Sequence, residues 1–187
     1  HFSFFALLAF CCVVTGIEGG AFLFMSVCLH ESAHLAAMAI FHALPVKVVF
    51  SGFGCRMILS EKHRLSYRQN AVISLAGPLG DLALASVFFV LNPENQIAIQ
   101  SNLALGILHL LPIEPLDGGL AVHAFLRGKI AAGKADKICL VLSITLLLPL
   151  SILGFLILLQ TRYNFSLLAL SIYLMLYLVL GRNFLPL

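Results

Sequence analysis

The stretch GAFLFMSVCLHESAHLAAMAIFHAL, residues 20–44, decides how the rest of the chain is read. It runs uninterrupted to Pro45, and a hydrocarbon core of ~30 Å takes about 20 helical residues to cross. In its middle stand His30, Glu31 and His34. A carboxylate and two imidazoles in an otherwise apolar span are costly unless they are paired or bound to a metal. On a helix, His30 and His34 lie one turn apart and project from one face, where they can share an ion. Glu31 then lies beside that ion and can take a proton from water, the arrangement of an H-E-x-x-H site.

The composition agrees with a membrane span. Of 187 residues 61% are apolar and 10% charged, and the mean hydropathy is +1.05. A soluble domain keeps roughly 25% charged residues to cover itself, so this chain reads as an integral membrane protein. Six apolar windows follow: about 2–17, 20–43, 68–91, 98–126, 138–160 and 164–182. The expected fold is all-α and polytopic, with six transmembrane helices in a single domain over 1–187. Its catalytic core covers about 20–126, with accessory helices at 1–18 and 138–187. The first window is short, and Glu18-Gly19-Gly20 after it reads as a tight turn rather than a signal-peptide cleavage site.

Charge placement gives the orientation. Lys47, Arg56, Lys62, Arg64 and Arg68 lie between windows two and three; Arg127, Lys129, Lys134 and Lys137 between four and five; Arg182 after six. Arg162 alone falls on the other side. Positive charge gathers on the cytoplasmic face, which predicts that both termini are cytoplasmic. The pI of 8.7 follows from this asymmetry and suits anionic lipid headgroups. No basic run is dense enough for a nucleic-acid surface. Cys11, Cys12, Cys28, Cys55 and Cys139 form no CxxC and read as small buried hydrophobes without a disulfide framework.

Beyond Pro45 the period changes. Val46–Phe50 and Cys55–Leu59 are β-favouring runs flanking Ser51-Gly52-Phe53-Gly54, which predicts a short membrane-associated hairpin between spans two and three. A strand edge is hazardous in lipid because its polar groups lack partners, and becomes useful if a substrate strand pairs with it. Val48, Phe50, Gly52 and Gly54 are therefore candidate substrate-binding positions. Window three carries Ala76-Gly77-Pro78-Leu79-Gly80-Asp81. Gly-Pro there removes a hydrogen bond and lets neighbouring backbone approach, and Asp81 should face the protein interior or a wet cavity. Window four breaks at Pro112-Ile113-Glu114-Pro115 and resumes after Asp117-Gly118-Gly119. Unwound backbone at that depth is tolerated only where it is buried or lines a cavity.

A catalytic zinc usually has three protein ligands and an open position. The third could come from Asp81, His109, Glu114, Asp117 or His123. Asp117 is favoured because it sits at the broken helix beside two glycines, where a carboxylate can be aimed freely; it could also cap the resumed helix.

Taken together, H-E-x-x-H at 30–34, Ala76-Gly77-Pro78 and Leu111-Pro112-Ile113-Glu114-Pro115-Leu116-Asp117-Gly118-Gly119 resemble, in this order, the site-2 protease family of intramembrane zinc metalloproteases. The compact layout without an inserted PDZ domain is similar to its sporulation-type branch. The resemblance implies that His30, His34 and Asp117 bind one zinc ion and that Glu31 is the general base. It also implies regulated intramembrane proteolysis of a membrane-embedded or membrane-associated protein, such as a sigma-factor precursor, with an inhibitory membrane partner as a further expectation. Two positions depart from the family pattern: His109 and Asp81 stand where Asn is common. Either could hydrogen-bond a substrate carbonyl, and His109 could serve as a ligand in a resting or inhibited state. His42 and His123 read as structural, and His1 and His63 as solvent-facing. The alternative from another class is a zinc-binding membrane transporter or sensor. It would want acids and histidines in a path across all spans, whereas spans five and six have none. A prenyl-protein type of membrane protease would take a Glu from a later helix as third ligand.

Overall fold

The computed structural model describes residues 2–51, 54–59 and 65–181, and the chain folds as two compact units, one ending at His109 and the other beginning at Leu110. Both are mostly helical.

The first unit opens with α1 (Phe2–Ile40), which is broken at Gly16 by φ 79° and ψ 167°. That region of backbone space is open to glycine alone. The turn expected at Glu18-Gly19-Gly20 therefore falls earlier: those residues are helical, and Gly16 supplies the conformation a break needs. After α1 the chain forms β1 (Lys47–Ser51) and β2 (Gly54–Ile58), paired antiparallel with Val48 opposite Met57 and Phe50 opposite Cys55. Gly52 lies outside the described residues, as do His1, Lys62, His63, Arg64 and Arg182. Helix α2 (Tyr67–Leu91) starts at a capping box: the Ser66 hydroxyl accepts from the Gln69 N–H, and the Gln69 side chain accepts from the Ser66 N–H. This satisfies two of the donors that a helix start leaves orphaned. Helix α1 packs along α2. Helix α3 (Gln96–Leu110) comes close to α2 at Gly106, where a Cβ would lie 3.0 Å from the Pro78 carbonyl and 3.1 Å from the Asp81 Cβ.

The second unit begins with a turn. The Ile113 N–H reaches the Leu111 carbonyl at 2.7 Å, and the Leu116 N–H reaches the Ile113 carbonyl at 2.8 Å. Helix α4 (Asp117–Arg127) then starts. Its first turn lies directly on the chain before it: a Cβ on Gly118 would stand 2.3 Å from the Leu110 carbonyl oxygen, and one on Gly119 2.5 Å from Ile113 backbone. Only residues without a side chain fit there, which accounts for the pair of glycines after Asp117. Helix α5 (Ala132–Thr161) carries Pro149 inside and packs against α4 and against α6 (Ser166–Leu176), which continues as a π-helical turn, Tyr177–Gly181. Gly154 of α5 sits where a Cβ would be 2.6 Å from the Leu168 nitrogen.

Among the described residues three helical stretches, Gly16–Ile40, Tyr67–Leu91 and Ala132–Thr161, are long and apolar enough to cross a membrane. The expected fourth window resolves into two helices of 15 and 11 residues with the turn between them. At about 1.5 Å of rise per residue, neither spans a bilayer alone. Of the cysteines whose surroundings are described, Cys139 is buried as expected, whereas Cys28 lies on the exposed side of α1.

Candidate metal centre

In the first unit, the helical period brings His30 and His34 to one face of α1, both buried. Their Nε2 atoms are 3.1 Å apart, and the rings meet edge to face with centroids 4.8 Å apart. Each ring is held from behind by α2. His34 Nδ1 is 2.7 Å from the Ile73 carbonyl oxygen, and His30 Nδ1 is 2.7 Å from Asp81 Oδ2. A carbonyl can only accept, so the proton of His34 sits on Nδ1 and its Nε2 presents a lone pair. The Asp81 carboxylate makes the same assignment for His30. With both rings neutral, the two Nε2 lone pairs face each other across 3.1 Å and repel unless a cation lies against them.

The surroundings fit that reading. Gly77 of α2 lies against the Nε2 side of the pair, where a Cβ would come within 2.4 Å of His34 Nε2 and 2.7 Å of His30 Nε2. Asp81 has no exposure, and its Oδ1 has no hydrogen-bond partner among the described residues. A buried carboxylate held by one N–H is expensive without a compensating positive charge. The donors suit a borderline-soft divalent ion such as zinc. Within this unit the chain thus brings together His30, His34, Asp81 and His109, whose ring centroid lies 4.6 Å from that of His30. Glu31 is half-buried on the same helix. Val48 and Phe50 belong to β1 and Gly54 to β2, on the hairpin that follows α1.

In the second unit Asp117 is the first residue of α4 and half-buried. The turn before it is anchored by side chains. The Glu114 N–H donates to the Ser143 hydroxyl at 3.0 Å, and Glu114 Oε1 lies 3.4 Å from His123 Nδ1. The other nitrogen of His123 is 2.7 Å from Asp136 Oδ1, which also accepts from Arg127 at 3.0 Å. Sequence reasoning had His123 as structural but missed Asp136, the one carboxylate among the basic residues between Arg127 and Lys137. The pairing ties the start of α5 to α4.

No family model matches the chain. Over 124 residues it is 28% identical to stage IV sporulation protein FB of Bacillus subtilis (strain 168), a match covering 62% of this chain and 43% of that protein. The chain thus spans less than half the length of this relative. Among solved structures it is similar to the site-2 protease from Methanocaldococcus jannaschii, with a TM-score of 0.69 and 21% identity, over 98% of this chain and 88% of that one. At that identity the likeness shows the fold. The resemblance read from the motifs, to the site-2 protease family and its sporulation-type branch, is what the two comparisons return.

Proposed function

We propose that the chain is an intramembrane zinc metalloprotease that hydrolyses peptide bonds of membrane-embedded or membrane-associated proteins. One observation carries the reading: two buried imidazoles, one helical turn apart, bring their Nε2 atoms to within 3.1 Å of each other in an apolar helix, with Glu31 next to the first of them. The likeness in fold to an archaeal site-2 protease supports it.

His30 and His34 would hold the ion, with Asp117 as the third ligand that the family resemblance implies, a set of the number and kind that a catalytic zinc uses. Bound zinc supplies a Lewis acid that polarises the scissile carbonyl and makes water nucleophilic near neutral pH. Glu31 takes the proton of the attacking water and delivers it to the leaving amine. His109, beside His30, is suited to donate a hydrogen bond to the substrate carbonyl. A helical substrate has no free backbone to offer, so it must unwind locally. The strands at 47–51 and 54–58, with Val48 and Ile58 exposed, provide an edge for the opened segment to pair with.

The substrate class is a membrane-anchored protein, of which a sigma-factor precursor is one form, and an inhibitory membrane partner would act on the same site. The setting is a multi-pass protein of a bacterial membrane.

The test is zinc content and cleavage of membrane-anchored substrates by the purified wild type and by Glu31→Gln. Zinc near one per chain in both, with cleavage lost at least a hundredfold in the variant, is the expected result, in line with the ~10²–10⁴-fold that a general base contributes. A wild type without zinc sinks the reading. Zinc in both with equal cleavage would remove Glu31 as the base.

A further inference from the structure

We propose that Asp81 is the positioning residue of the metal centre. Its carboxylate holds His30 with the proton on Nδ1, leaves Nε2 as the ligand atom, and supplies the negative charge that favours a divalent cation on that nitrogen. This rests on the reading of His30 and His34 as zinc ligands.

The two histidines are held by different chemistry. His34 donates to a neutral backbone carbonyl of Ile73, whereas His30 donates to a carboxylate, both at 2.7 Å. A charged acceptor makes the stronger hydrogen bond, and a carboxylate behind a metal-binding imidazole fixes its tautomer and raises its basicity as a ligand. The structure seals Asp81 for this purpose. Gly106 of α3 brings backbone to within contact of the Asp81 Cβ, Gly80 beside it packs on the Ala33 Cβ of α1, and no part of Asp81 is exposed. Water therefore cannot replace the carboxylate behind His30. Its second oxygen has no hydrogen-bond partner among the described residues, so the charge is under-compensated until a cation binds on the far side of the imidazole. An Asn in this position would keep an acceptor for the Nδ1 proton but bring no charge. The carboxylate thus makes this centre more tightly tuned to a cation than an amide would.

The experiment measures the zinc dissociation constant of the full chain in detergent by competition with a chromophoric chelator. It compares wild type, Asp81→Asn, Asp81→Leu and His30→Ala, and takes the visible spectrum of each cobalt-substituted protein. The expected order of affinity is wild type, then Asn, then Leu. The Leu variant should be weaker by roughly 10–100-fold, with its cobalt spectrum altered and the Asn spectrum close to wild type. Equal affinity and equal spectra for wild type, Asn and Leu, with binding lost in His30→Ala, overturn the role of Asp81 while the ligand assignment stands. A wild type that binds no zinc overturns both. If the Leu variant does not fold, the Asn variant decides: a threefold or greater loss of affinity supports the role, and an unchanged constant overturns it.

Discussion

Gly77 is the residue on which the histidine pair depends most directly. Exchanging a helical glycine for alanine usually stabilises a helix by roughly 0.5–1 kcal/mol. Here the added methyl would press on both Nε2 atoms, at 2.4 and 2.7 Å. Gly77→Ala should therefore lower zinc affinity by an order of magnitude or more, while overpacking of about 1–3 kcal/mol offsets the helical gain. Wild-type affinity in that variant would mean the ion does not sit between these nitrogens. The spacing of His30, Glu31 and His34 was legible because it is local: one helical turn is four residues, whatever the rest of the chain does. The acceptors behind the rings were not. Ile73 and Asp81 lie 39 and 51 residues along the chain from the histidines they hold, and nothing in the sequence pairs a given imidazole with a given oxygen. Asp81 could be read as inward-facing from its cost in lipid, and no further.

At the level of elements, the hairpin and the α5–α6 pair make separate predictions. Proline at Val48 removes a strand N–H and distorts β1; it should cut proteolysis severalfold while zinc content stays at the wild-type level. Unchanged cleavage would rule out the strand as a substrate-pairing edge. In Gly154→Leu the new side chain meets the Leu168 backbone, which cannot yield as a flexible side chain would. Overpacking of this kind costs about 1–3 kcal/mol, so the variant should unfold at lower denaturant, and an unchanged midpoint would show that α6 moves freely. The sequence marked the helix pause at Pro112–Pro115 correctly because proline acts on its own backbone. It did not reveal why Gly118 and Gly119 must follow, since that depends on how closely the turn folds onto α4. It also started α5 at residue 138 rather than at Ala132: Lys134 and Lys137 look like a connection by hydropathy but stand on the first turns of a helix.

For the whole chain, the distribution of positive charge predicts a sidedness that can be measured. Single cysteines introduced at Lys129 and at Tyr163 into a cysteine-free background should react oppositely with a membrane-impermeant thiol reagent in intact cells. Position 163 should be labelled and position 129 protected, and the reverse pattern would overturn the orientation. Tyr163 is well exposed in the turn between α5 and α6, so access itself does not limit the reaction. The broken backbone at Gly16 has a consequence of its own for how such a chain tolerates change in length. Along an unbroken helix, one inserted residue rotates everything beyond it by about 100°. The glycine acts as a coupling that slips: a residue gained or lost before it need not alter the angular phase of the helix carrying His30 and His34, while one inserted after it would swing both imidazoles away from Ile73 and Asp81. Within α1, length variation among functional versions of this chain should accordingly be confined to the stretch ahead of the glycine.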